Sequence, residues 1–569
     1  MQKKIRYRFA CTAVLVCLCA SAIASDDPNM PGDIRGVTRS PSGQPLADAK
    51  VTVHSADGKP DRTVNCAEDG SFRVEHLEPG KYQLTAKTEK FASLNASEVD
   101  LEPGATAKVD MPLIESPAIS PVRTNAVPRG FWKRFAKAYA DDWHDRTPSA
   151  PDPGFRGYPA PESDPPFPFT VWPYGGSVVI GQPNQSPPPL MQALYDGPNG
   201  DAWKASKIQV YGWANTGFNV STSNRGKFAN APAAYAQIPD SIQLDQLTLY
   251  IERVPDTIQT DHFDWGFRFT NLYGLDYRFT TSKGIFSDQL IQKNNTYGYD
   301  PVMAYIDLYF PHVADGLDVR IGRYISLPDI EAQLAPNNYT YTHSLTYTYD
   351  CYTQDGINGT FKFGKHWMWQ IGLSAGCDAA PWTSDAKFTL NTCLSYAWRQ
   401  GASEIYACAN SINDSKYAYN NLAAYYVTWY QKINANWHTD TESWYQYMRG
   451  APSIFGSVAA EPNSNGAWCN RGEQRCFAPE WAIVNYVERQ YGKKDYLSIR
   501  NEFFDDIKGQ RTGYKSRYSE HMVGWGHWIG STILMRPEVS YLRAYDRPAF
   551  DSGTKQNQVV IAGDLIWFY

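Results

Sequence analysis

Apolar and polar residues alternate from residue 203 to the end of the chain with the two-residue period of β-strands. One such run puts four aromatic residues on one side of an extended strand: Phe263, Trp265, Phe267 and Phe269. Polar residues occupy the other side, among them Asp264, Arg268 and Thr270. The pattern predicts strands at 207–219, 242–254, 262–273, 302–310, 317–324, 351–363, 367–377, 387–399, 403–411, 420–433, 437–449, 480–491, 494–506, 516–526, 530–545 and 557–569.

The connections between these strands alternate in length. Long ones span 221–241, 274–301, 325–350 and 450–479, whereas short ones span 255–261, 311–316, 364–366, 400–402, 434–436 and 492–493. Long connections on one side and short ones on the other are typical of outer-membrane barrels. We therefore predict an all-β protein whose main body, 203–569, is a transmembrane antiparallel β-barrel of about 16 strands.

The last predicted strand has an apolar face that ends in aromatic residues. Val559, Ile561, Leu565, Trp567 and Tyr569 share this face. Trp567 and Tyr569 resemble the carboxy-terminal assembly signal that the bacterial barrel-assembly machinery recognises, although an edge strand of a soluble protein could show the same alternation.

The amino-terminal sequence predicts export from the cytoplasm. Basic residues precede an apolar run at 9–20, and Ala22-Ile23-Ala24 is a small-x-small cleavage site, so residues 1–24 are interpreted as a signal peptide. Later segments lack the roughly 18 consecutive apolar residues that a transmembrane helix needs.

Composition agrees with a barrel. Aromatic residues make up 14% of the chain, yet the mean hydropathy is only -0.48. Alternating lipid-facing and lumen-facing positions give this combination, and so would a secreted sugar-binding β-protein. The net charge of -6 gives no reason to expect a nucleic-acid partner.

Residues 33–113 predict a separate small β-sandwich in the periplasm. Short alternating runs are separated by turn dipeptides such as Asp57-Gly58, Asp69-Gly70 and Pro79-Gly80. The segments from Pro45 to Val51, Asp69 to Phe72 and Leu77 to Tyr82 resemble landmarks of the carboxypeptidase regulatory-like domain. The resemblance implies a non-catalytic accessory domain.

Two further segments connect this sandwich with the barrel. Aromatic residues at 131, 132, 135, 139 and 143 predict a short amphipathic helix within 129–146, which could lie on the membrane, on the barrel rim or on the sandwich. The following segment, 147–202, is dense in proline and is interpreted as a stiff linker.

Six cysteines of the barrel fall into three pairs, two of which are symmetric about a turn. Cys351 and Cys377 are equally far from Gly364, and Cys393 and Cys408 are symmetric about the turn at 400–401. Residues directly opposite in a hairpin share a face, so these pairs could form disulfides. Cys469 and Cys476 form the third predicted pair within one long connection, and Cys66 remains a thiol. Six cysteines alone would allow 15 connectivities.

Several motifs of the barrel together resemble the OmpL-like β-barrel porin family. They include residues 335–344, 372–378, 409–414, 437–442, 478–482 and 501–506, and the resemblance covers about 203–569. It implies a porin-like barrel and does not identify a solute.

Candidate catalytic and metal-binding residues were also considered. His438, Asp440 and Glu442 alternate onto one strand face and could ligate a metal, but a hydrated ladder in the lumen is the favoured interpretation. Glu502, Asp505 and Asp506 could be paired acids, although the last two lie where a strand ends. Phosphate-binding, dinucleotide-binding and zinc-protease motifs do not occur. We therefore predict a protein that is not an enzyme and uses no metal or cofactor.

The predicted function is passive diffusion of small hydrophilic solutes across the bacterial outer membrane. The long connection 325–350 would fold inward, so that Asp329 and Glu331 face arginines of the wall across a constriction: Arg268, Arg320, Arg500 and Arg536. The alternative is a connection that stays outside and caps the barrel.

Expected partners are outer-membrane lipid and lipopolysaccharide, the barrel-assembly machinery and small hydrophilic solutes, with homo-oligomerisation left open. The sequence leaves three other functions open. The chain could be a barrel-anchored surface binding or adhesion protein, an outer-membrane hydrolase, or an energy-coupled receptor; roughly 365 residues are too few for the 22 strands and plug of such a receptor.

Overall fold

The computed structural model describes residues 30–40, 44–47, 49–55, 61–88, 91–93, 97–115, 127–144, 182–183, 186–257, 259–364, 366–399, 401–434, 436–462 and 464–569. They belong to two compact units, Met1–Ala126 and Val127–Tyr569. The signal peptide predicted at 1–24 and most of the proline-rich linker lie outside the described residues. Within the described part, none of the helices has both the length and the apolar character for a membrane span.

The first unit is a small β-sandwich. Its strands are β1 (Gly32–Arg39), β2 (Lys50–Ser55), β3 (Arg62–Asn65), β4 (Ser71–Leu77), β5 (Gly80–Lys87), β6 (Phe91–Ala92), β7 (Ser97–Leu101), β8 (Thr106–Pro112) and β9 (Ile114–Glu115). One sheet has the order β4-β1-β8 and the other β3-β2-β5-β6-β9, with β7 paired to β5. Alternate residues of both sheets, such as Ile34, Val51, Phe72 and Leu84, form one buried apolar core.

The second unit is a closed antiparallel barrel. Its strands are β10 (Gln209–Ser221), β11 (Ser241–Arg253), β12 (Asp264–Gly274), β13 (Gly298–Phe310), β14 (Leu317–Ile325), β15 (Thr353–Phe363), β16 (Trp367–Cys377), β17 (Thr389–Trp398), β18 (Ser403–Ile412), β19 (Ala423–Lys432), β20 (Trp437–Pro452), β21 (Arg475–Tyr491), β22 (Asp495–Asp506), β23 (Ser516–Ile529), β24 (Ile533–Met535), β25 (Glu538–Ala544) and β26 (Asn557–Phe568). β26 pairs with β10 and closes the ring.

The barrel has 16 strands, because β24 and β25 are two parts of one strand. Both parts pair with β23 on one side and β26 on the other, and they are separated by Arg536 and Pro537. Proline has no backbone N–H to offer the ladder, which explains the break. The predicted all-β fold, with a barrel of about 16 strands and an amino-terminal β-sandwich, is confirmed.

The alternation of the sequence determines which face of each strand meets lipid. In β12, Trp265 and Phe269 are 47% and 39% exposed, whereas their chain neighbours Asp264 and Thr270 are buried. A lipid bilayer would cover the exposed apolar side chains, and the polar ones point into the barrel, where they can bond to one another. β26 follows the same rule, with Trp567 outside and Phe568 inside.

Six helices accompany the strands of the second unit: α1 (Phe131–Trp143), α2 (Pro189–Tyr195), α3 (Gly200–Ser206), α4 (Tyr277–Thr280), α5 (Asp288–Ile291) and α6 (Leu345–Thr348). α2 and α3 replace the end of the predicted stiff linker, so that interpretation of 189–202 is wrong. Pro189 is the first residue of α2. Proline is well suited to this position because the first N–H of a helix has no intrahelical acceptor.

α1 lies against the barrel, which is one of the three locations that its sequence left open. The Asp142 carboxylate accepts hydrogen bonds from the Ser531 backbone N–H at 2.9 Å and hydroxyl at 2.6 Å, and from the Thr532 hydroxyl at 2.7 Å. The Tyr139 hydroxyl donates to the Phe568 carbonyl at 2.7 Å. Gly530 has φ 61° and brings its backbone so close that a Cβ there would lie 2.2 Å from Asp142 Oδ2.

Replacing Asp142 should therefore destabilise the barrel. The Asp142→Ala variant leaves several donors without their charged acceptor, and each hydrogen bond to a charged group contributes roughly 1.5–3 kcal/mol. We expect a loss of about 3 kcal/mol in the free energy of unfolding, measured as a lower temperature at which the fast-migrating folded form disappears from gels. Asp141→Ala is the matched control, because Asp141 pairs only with Lys137 of the same helix. Equal melting of both variants would contradict the docking of α1.

Candidate functional site

The connection between β14 and β15 lies inside the barrel. This segment, residues 326–352, is called the lumen loop; it contains a short 3-10 helix, Ala335–Asn337, and α6. Almost all of its side chains are buried, including Leu334, Tyr341 and Leu345. The sequence leaves two positions open for 325–350, folded into the lumen or capping the barrel from outside, and in the structure the segment is folded inward.

Two glutamates on the far wall hold the backbone of the lumen loop. Glu502 on β22 accepts hydrogen bonds from the N–H groups of Leu345, at 2.9 Å, and Thr346. These N–H groups begin α6 and have no acceptor within the helix, so the carboxylate satisfies them. Glu538 on β25 accepts from the N–H groups of Tyr341 at 2.9 Å and Thr342 at 3.1 Å.

Two arginines of the same wall bind the carbonyls of the loop. Arg536 Nη1 donates to the carbonyls of Ala335 at 2.8 Å and Asn338 at 2.7 Å. Arg500 Nη1 donates to the Thr342 carbonyl at 2.5 Å. The loop begins at the end of β14, and β22 lies on the opposite side of the ring. The contacts with β22 therefore show that the loop spans the lumen.

Neutral side chains of other strands complete the attachment. Gln246 on β11 donates from Nε2 to the Gln333 carbonyl at 2.8 Å and accepts from the Ala335 N–H at 3.0 Å. Trp444 on β20 donates from its indole nitrogen to the Thr346 carbonyl at 3.0 Å. A loop without regular structure can remain buried only if its backbone groups find such acceptors and donors.

The wall arginines do not stand as free charges opposite the loop acids. Each is paired with an acid of the wall: Arg268 with Glu252, Arg320 with Asp307, Arg500 with Glu520 and Arg536 with Asp564. Arg268 and Arg320 lie directly opposite their acids in the antiparallel register. The sequence suggests a transverse electric field between the loop acids and the wall arginines. In the structure this field is weaker than expected, because ion pairs with wall acids balance most of the positive charge.

The two loop acids have separate surroundings. Glu331 accepts from the Ser344 N–H at 3.1 Å and from the Tyr486 hydroxyl. That hydroxyl also accepts from Arg500 Nη1 at 3.2 Å, which links Glu331 to the wall. Asp329 instead lies beside Asp350 and Glu442.

The polar ladder on β20 is buried, whereas the interpretation from its sequence is a hydrated ladder in the lumen. His438, Asp440 and Glu442 are all buried. His438 Nε2 is 3.1 Å from Asp440 Oδ2, whereas Glu442 Oε2 accepts from the Ile330 N–H at 2.9 Å. The ladder thus packs against the lumen loop and does not line a water-filled channel.

Large side chains occupy much of the remaining lumen. The wall contributes Tyr406, Tyr426, Tyr430, Trp444 and Trp528, each essentially fully buried. A cavity of about 10 Å³ remains beside Glu331, Tyr339, Asp440 and Tyr486, about the space of one water molecule. The lumen loop and these side chains together fill much of the lumen at this level.

The three predicted cysteine pairs are disulfides in the structure: Cys351–Cys377, Cys393–Cys408 and Cys469–Cys476. Cys393 and Cys408 face each other directly across β17 and β18. Cys351 is the residue before last in the lumen loop, so its disulfide fastens one base of the loop to β16. Cys66 forms no disulfide and is buried in the sandwich.

The remaining candidate acids have structural roles. Asp506 accepts from the N–H groups of Arg511 at 3.1 Å and Thr512 at 2.8 Å and so stabilises the connection after β22. Glu502, considered as its catalytic partner, holds the lumen loop instead. Trp567 packs edge-on against Tyr139 of α1, and the Tyr569 backbone pairs with Gly212 of β10.

A separate groove of about 1160 Å³ lies on the outer wall. Its lining includes Phe269, Ile357 and Leu373, which are lipid-facing residues, together with Phe286 and Trp382 from two connections. The groove is apolar and outside the lumen, so it does not belong to a path for hydrophilic solutes.

Removing the two glutamates that hold the loop should release it. In the double variant Glu502→Ala and Glu538→Ala, four backbone N–H groups lose their acceptors inside the barrel, and we expect chymotrypsin to cut the protein between residues 339 and 352. The measurement is mass spectrometry of the fragments from folded protein in detergent. Glu404→Ala is the control, because Glu404 is a buried wall acid that binds Ser395 rather than the loop. A double variant as resistant as the wild type would contradict this role.

Comparison with protein families gives two matches. The profile of the family described as "Putative beta-barrel porin-2, OmpL-like" matches residues 207–568. The profile of the carboxypeptidase regulatory-like domain matches residues 33–114. Both resemblances inferred from sequence motifs are thereby confirmed. A search of curated proteins finds no match to the chain.

Solved structures share the barrel fold at low identity. An anion-selective porin from Comamonas acidovorans is 8% identical, with a TM-score of 0.42 over 64% of this chain and 99% of that one. The outer membrane channel DcaP of Acinetobacter baumannii is 10% identical, with a TM-score of 0.40 over 64% and 97%. OmpF of Salmonella typhi, in complex with daunomycin, is 11% identical, with a TM-score of 0.39 over 64% and 97%.

Proposed function

The chain belongs to the OmpL-like putative β-barrel porin-2 family, and we propose that it is an outer-membrane channel for passive diffusion of small hydrophilic solutes, regulated by its lumen loop. The observation that carries this proposal is the attachment of the loop to Glu502 and Glu538 across the lumen. A barrel of this strand number encloses a channel when its interior is free. For solutes to diffuse through the barrel, at least part of the lumen loop would have to move out of the lumen.

The attachment is suited to a loop that can move. Apart from the disulfide at its base, the loop is held by hydrogen bonds rather than by covalent bonds. On release, the acids and arginines that now bind its backbone would face water and line a polar channel. Selectivity would then depend on channel width and on these charges.

A barrel-anchored surface binding protein is the second candidate. A lumen occupied by the loop favours it, as does the long connection between β20 and β21, which the Cys469–Cys476 disulfide fastens to β21 and which exposes Ile454 and Phe455. In this case the barrel would serve as an anchor and conduct no solute.

The surroundings of the protein follow from the same proposal. The apolar outer face would contact outer-membrane lipid and lipopolysaccharide, and the outer groove near Phe286 and Trp382 supports such a contact. The barrel-assembly machinery would insert the chain, with Trp567 and Tyr569 as its signal. The amino-terminal β-sandwich would lie in the periplasm.

Shortening the lumen loop should open the channel. Deletion of 329–338 removes the segment that Gln246 and Arg536 hold, and we expect a several-fold increase in single-channel conductance in planar bilayers. The control deletes 455–464, a segment of equal length in the connection between β20 and β21 whose described residues are all exposed or partly exposed.

Conductance also separates the two candidate functions. A channel held closed by its loop gives small or infrequent openings in the wild type and the control, and large ones in the lumen-loop deletion. If the correctly folded deletion conducts no better than the control, the gating role is wrong and the anchored binding protein becomes the better account.

A further inference from the structure

Three carboxylates meet where the lumen loop passes β20. Asp329 and Asp350 belong to the two ends of the lumen loop, and Glu442 belongs to the wall. One oxygen of each carboxylate lies within 4.8 Å of the other two. The cluster therefore joins both bases of the loop to one strand.

The two aspartates of the cluster lack donors from the rest of the barrel, whereas Glu442 accepts one hydrogen bond, from the Ile330 N–H. Asp329 and Asp350 are 0% exposed, and outside the cluster none of their four carboxylate oxygens has a hydrogen-bond partner among the described residues. Among the described residues, no lysine, arginine or histidine forms an ion pair with Asp329, Asp350 or Glu442. Arg511 donates to the backbone carbonyls of Tyr349, at 2.9 Å, and Asp350, at 3.4 Å, rather than to a carboxylate of the cluster.

Other acids of the lumen differ from this cluster. Glu502 and Glu538 each accept several hydrogen bonds from the loop, which stabilise a buried negative charge. Buried carboxylates without donors or positive partners are strongly unfavourable. A positive ion among Asp329, Asp350 and Glu442 would remove this cost.

The ligand chemistry points to a hard divalent cation. Ca²⁺ binds carboxylate oxygens at about 2.3–2.6 Å in irregular geometry, so oxygens on opposite sides of the ion can be about 4.8 Å apart. Mg²⁺ requires near-octahedral geometry at about 2.0–2.1 Å and retains more of its water. Three carboxylates from separate segments, with ligand oxygens within 4.8 Å of one another, suit the irregular all-oxygen coordination of Ca²⁺ better than the strict octahedron of Mg²⁺.

We propose that Asp329, Asp350 and Glu442 form a Ca²⁺ site that fastens the lumen loop to β20. Water molecules or backbone carbonyls would supply the other ligands. The ion stabilises the inward position of the loop from its bases, while Glu502 and Glu538 hold its tip. This inference goes beyond the proposed function, because the site could bind Ca²⁺ whether or not the barrel conducts.

Terbium binding tests the site on the full chain, purified in detergent and free of lipopolysaccharide. Tb³⁺ takes the place of Ca²⁺ in this experiment. Tyr426 interacts electrostatically with all three carboxylates and can sensitise the luminescence of the bound ion. We expect saturable luminescence that Ca²⁺ displaces more effectively than Mg²⁺. Asp350→Asn should weaken Tb³⁺ binding about tenfold or more, whereas Glu404→Gln, the control, should leave it unchanged.

Thermal unfolding provides an independent measurement, and its main comparison uses the wild type alone. We expect EGTA to lower the Tm of the wild type, added Ca²⁺ to restore it, and Glu442→Gln to show no response. Absence of saturable Tb³⁺ binding together with an unchanged Tm in EGTA would overturn the proposal and indicate that the acids share protons instead. Even if the variants fail to fold, the wild type with and without EGTA decides the question.

Discussion

The inward position of the lumen loop depends on the hydrogen bonds that Glu502 and Glu538 accept from its backbone. A segment without regular structure cannot remain inside a barrel unless its N–H and carbonyl groups are satisfied there. The wall provides carboxylates for the N–H groups, and Arg500 and Arg536 for the carbonyls. The fold of the wall thus fixes the path of a loop that has little secondary structure of its own.

The same wall charges balance one another. Arg500 binds Glu520 while it donates to Thr342 of the loop, and Arg536 binds Asp564 while it donates to Ala335. Each arginine therefore serves two partners, and movement of the loop would leave its ion pair in place. The lumen loop thus binds arginines whose charge the wall acids already balance.

The sequence predicts the strands of the barrel wall far better than the position of the lumen loop inside it. Alternation within single strands, as in β12 and β26, is a local property, so strand positions and the lipid-facing side could be derived directly. The location of the lumen loop depends on contacts such as Glu538 with Thr342, which are 196 residues apart. Glu442 was recognised as a candidate ligand, but its neighbours Asp329 and Asp350 become apparent only when the loop is folded inward.

Hydrogen–deuterium exchange of the folded chain in detergent tests the central claim most directly. If Glu502 and Glu538 hold the lumen loop, the amides of Tyr341, Thr342, Leu345 and Thr346 should exchange as slowly as the ladder amides of β22, although most of the loop lacks regular structure. Exchange of these amides at the rate of the partly exposed connection 455–462 would show that the loop is not bound to the wall and would contradict the account.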